Sequence, residues 1–236
     1  MNKTVLITGG TKGIGLGIAR SLLADGYNVA ITSRSEESAD QIAKELGLEF
    51  DTNRVLGVGC DVRDYVSQEK CVASVISTFG SIDVMIANAG VGHFASIEDM
   101  SVDHWNETID TNLTGVFFSI KASLEALKKS KGYIITIASL AGTNFFATGS
   151  AYNASKFGLV GFTQSVMLDV RKYGIKTTTI MPGSVSTYFN GHTPSESDAW
   201  KIQPEDLGQM VADLLKINPR TLPSKIEVRP TIPGGK

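Results

Sequence analysis

Seven short runs of β-branched and aliphatic residues recur along the chain: KTVLIT, YNVAIT, RVLGVGC, DVMIAN, GYIITIAS, KTTTIMP and KIEVRP. They are apolar with little polar alternation, the pattern of strands buried on both faces. Between them lie segments with apolar residues at helical spacing, such as GIARSLLADG and QEKCVASVISTFG. Strands that alternate with helices imply right-handed crossovers and a parallel sheet covered on both faces. The expected class is therefore α/β, with seven mainly parallel strands in one doubly wound sheet. No linker, repeat or low-complexity tract interrupts the 236 residues, so one domain spanning 1–236 is expected. The least regular stretch, STYFNGHTPSESDAW, is rich in Ser, Thr, Gly and Pro and reads as a mobile surface loop. A short substrate loop is expected at about 186–202, with Tyr188, Phe189 and Trp200 as its apolar anchors and no Arg or Lys up to Trp200 to clamp a carboxylate.

TGGTKGIG follows the first strand and opens the first helix. Glycines at Gly9, Gly13 and Gly15 allow a sharp turn, with Thr11, Lys12 and Ile14 in the same loop. The backbone can then approach a pyrophosphate at a helix amino terminus, which predicts a Rossmann-type dinucleotide site. A carboxylate at the end of the second strand would bind the ribose hydroxyls of NAD. This chain has Ser33 there, followed by Arg34. A hydroxyl and a guanidinium suit a 2′-phosphate, and Lys12 could reach the same group. NADP(H) is the cofactor expected.

Hydrophobic content of 42% and charged content of 19% are ordinary for a globular protein, and a net charge of -2 argues against nucleic acid as partner. No stretch reaches the roughly 18 unbroken apolar residues of a membrane span. The amino terminus has none of the marks of a signal peptide. Cys60 and Cys71 read as two half-buried thiols without metal-ligand spacing, so no metal is expected and a cytoplasmic location is.

The motifs TGGTKGIG, ANAG, IASLAG, YNASK and MPGSV stand in the order and spacing of the short-chain dehydrogenase/reductase family. The resemblance covers essentially the whole chain and is greatest to the NADP-dependent 3-oxoacyl-acyl-carrier-protein reductases. It implies a catalytic set of Asn112, Ser139, Tyr152 and Lys156. It places Asp61 and Val62 at adenine, Asn88, Ala89 and Gly90 at the turn after the fourth strand, and Pro182, Gly183, Val185 and Thr187 around the nicotinamide. The family often has a second asparagine where this chain has Ala87.

Tyr152 and Lys156 are one helical turn apart, so phenol and ammonium share a face. A free phenol, with a pKa near 10, is a poor acid–base at neutral pH. Lowering it about three units needs roughly 4 kcal/mol, close to what an ammonium about 4 Å away supplies at an effective dielectric of about 20. Ser139 would hold the substrate oxygen against Tyr152, and Asn112 would hold a water beside Lys156. No histidine is placed to activate Ser139 as a nucleophile; His93, His104 and His192 look scattered.

The function expected is interconversion of a ketone, with a 3-oxoacyl thioester among the candidates, and a secondary alcohol. The alternatives are a dehydrogenase of a free sugar, steroid or xenobiotic ketone, and a non-catalytic nucleotide sensor, which the intact catalytic set disfavours. Lys128, Lys129, Lys131, Arg171 and Lys172 form a basic cluster suited to an acidic carrier protein. The apolar helices GVFFSIKASLEAL and FGLVGFTQSVML predict a homo-oligomer, a tetramer ahead of a dimer.

Overall fold

The computed structural model describes residues 2–232. Its strands are β1 (Thr4–Ile7), β2 (Asn28–Ser33), β3 (Val55–Gly59), β4 (Val84–Ala87), β5 (Tyr133–Ile137), β6 (Lys176–Pro182) and β7 (Lys225–Val228). They form one sheet in the order β3-β2-β1-β4-β5-β6-β7, and every pairing is parallel. The helices are α1 (Gly13–Ala24), α2 (Glu36–Leu46), α3 (Tyr65–Phe79), α4 (Val102–Ile109), α5 (Gly115–Ser130), α6 (Ser150–Val170) and α7 (Pro204–Lys216). All seven apolar runs became strands, each connected by a helical crossover.

Two apolar layers explain why these runs carry so few polar residues. Val5, Ile7, Ile31, Ile86 and Ile135 point to one face and pack with Ile18 and Leu22 of α1 and Leu207 and Val211 of α7. Leu6, Ala30, Met85 and Ile134 point to the other, against Val75 of α3, Leu127 of α5 and Leu159 of α6. Adjacent residues on one strand thus serve opposite layers. Burying each such aliphatic side chain contributes about 1.5–3 kcal/mol. Strand order reverses between β1 and β4, and an open parallel sheet leaves its crevice there, outside the carboxyl ends.

Several local expectations change. Cys60 and Cys71 are fully buried, because β3 and α3 turn them both into the second apolar layer. The stretch 186–200 is more organised than a loose loop. Two short 3-10 turns, Phe189–Gly191 and Glu196–Asp198, fold it back on itself, and Val185 bridges to Ile202. Its centre is the buried carboxylate of Asp198, which receives both His192 and Lys201. A carboxylate removed from water requires such partners, so composition alone misjudged the segment.

Candidate active site

A cleft of about 1330 Å³ opens at the carboxyl ends of the strands. Every residue expected at the site lines it except Gly15 and Asn112. Gly9 and Gly13 have φ of +64° and +53°, which a side chain would strain. A Cβ on Gly15 would stand 2.4 Å from the Gly9 carbonyl oxygen, so Gly15 acts from behind by letting the turn close. The Asn88 amide donates to the carbonyls of Thr8 and Gly9, both at 2.9 Å. Thr8 Oγ1 accepts from the N–H groups of Asn88 and Ala89 at 3.0 and 3.1 Å. The turns after β1 and β4 are thereby bolted together. Ala87 is buried in the sheet, so an apolar residue suits that position. Lys12, the residue before α1, offers its helix no side-chain cap, which leaves the first-turn N–H groups for an anion.

At the end of β2, Ser33 and Arg34 face the cleft, and the Arg34 side chain is 64% exposed. Its guanidinium lies 3.5 Å from Glu107 Oε1. Arg63, overlooked in the sequence, lines the same end. It donates twice to Asp61, through Nε at 3.0 Å and Nη2 at 2.6 Å, and its other Nη lies 3.8 Å from Glu107. The Arg63 hydrogen bond holds the Asp61 carboxyl below the usual carboxylate range. Glu107 also binds His93 at 2.8 Å, and that bond, then the arginines, lowers its pKa. His93 and His104 were expected to be scattered, but their rings stack at 4.1 Å because the loop after β4 folds back over α4.

At the other end, Ser139 follows β5 with extended backbone, and its Oγ accepts from Ala141 N–H at 3.1 Å. It therefore caps local backbone while also facing Tyr152. Tyr152 lies in the first turn of α6 and Lys156 one turn later. The Lys156 ammonium is buried, donates to the Ile137 carbonyl at 3.1 Å and lies 5.6 Å from the Tyr152 ring centroid. Burial pushes the lysine down to about 8. Burial also raises the Tyr152 phenol, with hydrogen bonding to Ser139 acting against it. The one-turn spacing predicts a lysine nearly sufficient to lower the phenol; in the folded protein burial outweighs the Ser139 hydrogen bond, and the phenol is raised.

Asn112 occupies a π-helical turn, Asp110–Thr114, between α4 and α5. Its buried amide is engaged by protein: Oδ1 accepts from Val91 N–H at 2.8 Å, and Nδ2 donates to the Val91 carbonyl and Ser155 Oγ. A buried amide must find such partners. Asn112 thus ties the turn after β4 to α6.

The basic cluster lies at the opposite edge of the sheet from Ser139. Lys131 directly precedes β5, and Arg171 and Lys172 precede β6, whereas Ser139 follows β5. Parallel strands put all the starts at one edge and all the ends at the other. Lys128 is moreover paired with Glu125, and it and Lys172 lie over the Tyr173 ring.

Residues 3–198 match the family model described as short chain dehydrogenase. The trans-4-hydroxycyclohexanecarboxylate dehydrogenase of Sinomonas cyclohexanicum is 38% identical over 189 residues, covering 78% of this chain and 73% of that protein. A 3-oxoacyl-[acyl-carrier-protein] reductase of Salmonella typhimurium is 37% identical over 186 residues, covering 78% and 74%. The solved structure of an alcohol dehydrogenase from Thermococcus sibiricus, complexed with 5-hydroxy-NADP, superposes with a TM-score of 0.92 at 30% identity and covers both chains fully. The chain belongs to the short chain dehydrogenase family and is an oxidoreductase that interconverts carbonyl and alcohol with a nicotinamide cofactor.

Proposed function

We propose that the protein is an NADP(H)-dependent reductase of ketones, able to run in reverse on secondary alcohols, with Tyr152 as its acid–base. The observation that carries this reading is a single cleft with Arg34 and Lys12 at one end and Ser139, Tyr152 and buried Lys156 at the other. Gly9, Thr11, Lys12, Gly13 and Ile14 would hold the pyrophosphate, Ser33 and Arg34 the 2′-phosphate, and Asp61 and Val62 the adenine. Asn88, Ala89 and Gly90 would flank the ribose beyond it, and Pro182, Gly183, Val185 and Thr187 the carboxamide. The glycine cradle, which a Cβ would fill, supports that fit. When bound, the nicotinamide supplies hydride to the carbonyl carbon or takes it from the alcohol carbon.

Tyr152 gives its phenolic proton to the carbonyl oxygen in reduction and takes a hydroxyl proton in oxidation. The phenol is protonated at neutral pH and so stands ready as the acid in the reductive direction. Ser139 holds the substrate oxygen, and the Lys156 charge stabilises phenolate as the proton leaves. Titration with NADPH and NADH, followed by NADPH oxidation with a ketone panel, tests the reading. Tight binding with no turnover on any ketone would reduce the protein to a nucleotide binder.

A 3-oxoacyl thioester is the second reading, favoured by the Salmonella typhimurium relative's name. Exposed Phe117 and Phe157, with Leu168 further along α6, support a homo-oligomer, a tetramer ahead of a dimer. The two free buried thiols fit a cytoplasmic location. No helix among the described residues is long and apolar enough to cross a membrane.

A further inference from the structure

Five aromatic rings besides Tyr152 line the catalytic end of the cleft: Phe145, Phe146, Tyr188, Phe189 and Trp200. None is buried, and Phe145 is 86% exposed. A fold does not gather so much wet aromatic surface in one place to stabilise itself; such a patch marks an interaction site. These rings come from two loops, one after β5 and one after β6. A third loop, after β4, supplies Phe94, whose ring touches Tyr152 at 5.4 Å, Phe146 at 5.7 Å and Phe189 at 6.3 Å between centroids. Phe189 also meets Tyr152 at 5.6 Å. The reacting phenol is therefore framed by phenyl rings inclined 56–70° to one another.

The backbone is specialised to hold this frame. A Cβ on Gly92 would come 2.5 Å from the Phe189 ring, and one on Gly149 would come 2.6 Å from the Phe146 ring. Glycine at these positions leaves the two phenyls room to lie down. Ala95 N–H donates to the Thr148 carbonyl at 2.9 Å, which fastens the first loop to the second. Thr148 itself adopts a left-handed φ of +64°, uncommon and strained for a β-branched residue. Among the described residues, the cations near the rim have carboxylate partners: Lys201 has Asp198 and Arg229 has Glu227. The frame therefore offers ring faces and edges rather than a charge clamp.

From this geometry we infer that the preferred substrate is an aryl ketone, whose aromatic ring packs against Phe146 and Phe189 while its carbonyl oxygen meets Tyr152 and Ser139. Phe94 is a positioning residue that holds both rings from behind. Inclined aromatic walls favour a flat ring through edge-to-face and offset contacts, which an alkyl chain or a small hydroxy acid cannot make. The inference rests on the ketone-reductase reading and narrows it.

The test is steady-state NADPH oxidation with acetophenone, 2-butanone and the N-acetylcysteamine thioester of acetoacetate, for wild type, Phe146→Ala, Phe146→Leu and Phe189→Ala. Acetophenone should exceed both other substrates in kcat/KM by at least a hundredfold. Each alanine variant should lower that ratio at least tenfold, mainly through KM, and Phe146→Leu should fall with Phe146→Ala because aromaticity rather than bulk is required. Equal kcat/KM for acetophenone and 2-butanone, a preference for the thioester, or a leucine variant that keeps the full ratio would each overturn the inference and leave the ketone-reductase reading standing. No turnover on any of the three ketones, with NADPH still bound, would overturn both.

Discussion

The Lys156 ammonium donates to the Ile137 carbonyl at 3.1 Å, so the end of β5 and the second turn of α6 share one buried charge. Burial holds that lysine near 8, against an ordinary 10.5. Between those values the unfolded chain keeps a proton that the folded protein has released. Stability should therefore rise as pH climbs through this window, by up to about 3 kcal/mol, and the charged lysine should cost a similar amount below it. Lys156→Met should lose this rise in urea unfolding between about pH 8 and pH 10.5, relative to wild type. Parallel pH profiles for the two proteins would contradict the burial of the charge.

Tyr152→Phe keeps the ring contacts to Phe94 and Phe189 and removes the hydroxyl that carries the proton. General acid–base catalysis contributes about 10²–10⁴-fold, so kcat should fall by about a thousandfold while NADPH affinity hardly moves. Single-turnover rates beside cofactor titrations read both quantities. A variant with near-normal turnover would take the phenol out of the chemistry.

Arg34→Ala should weaken NADPH by about 1.5–3 kcal/mol and leave NADH nearly unchanged, because only NADPH has a phosphate for the guanidinium. Ser33→Asp should go further and favour NADH, since a carboxylate repels phosphate and accepts from ribose hydroxyls. Added salt should erode the wild-type preference, Arg34 being largely exposed. Equal wild-type affinity for the two cofactors would remove the NADP assignment.

Asn112→Ala leaves the half-buried Val91 N–H and carbonyl without their partner. A lost hydrogen bond of this kind costs about 0.5–1.5 kcal/mol, so the variant should lose about 1–2 kcal/mol of stability. Denaturant midpoints measure this directly. An unchanged midpoint would mean that the turn after β4 relaxes freely.

Asp198, bound first to Lys201 and then to His192, is held near 2 against an ordinary 3.8. A carboxyl lowered in this way stabilises the fold at neutral pH, and that contribution fades as pH falls from about 4 toward 2. Asp198→Asn should open the 187–201 segment to proteolysis at pH 7, and wild type should reach the same susceptibility only in acid. Equal cleavage of both proteins at pH 7 would show that the carboxylate does not tie the segment down.

The sequence alone determined the sheet and both ends of its cleft. Uninterrupted apolar runs such as YIITI can be satisfied only between two helical layers, and that constraint is local. Gly9, Ser33 and the Tyr152–Lys156 spacing were legible for the same reason, since each depends on a turn, a strand end or one helical repeat. Tertiary structure alone decided what lies far apart in sequence. Phe94, Phe146 and Phe189 meet around one phenol only because β4, β5 and β6 end at the same edge. Glu107 gathers Arg34, Arg63 and His93 by the same route. The pKa values of Tyr152 and Lys156 were likewise out of reach: spacing fixed which groups are neighbours, but the depth of burial, set by the whole fold, decided which way each one shifted.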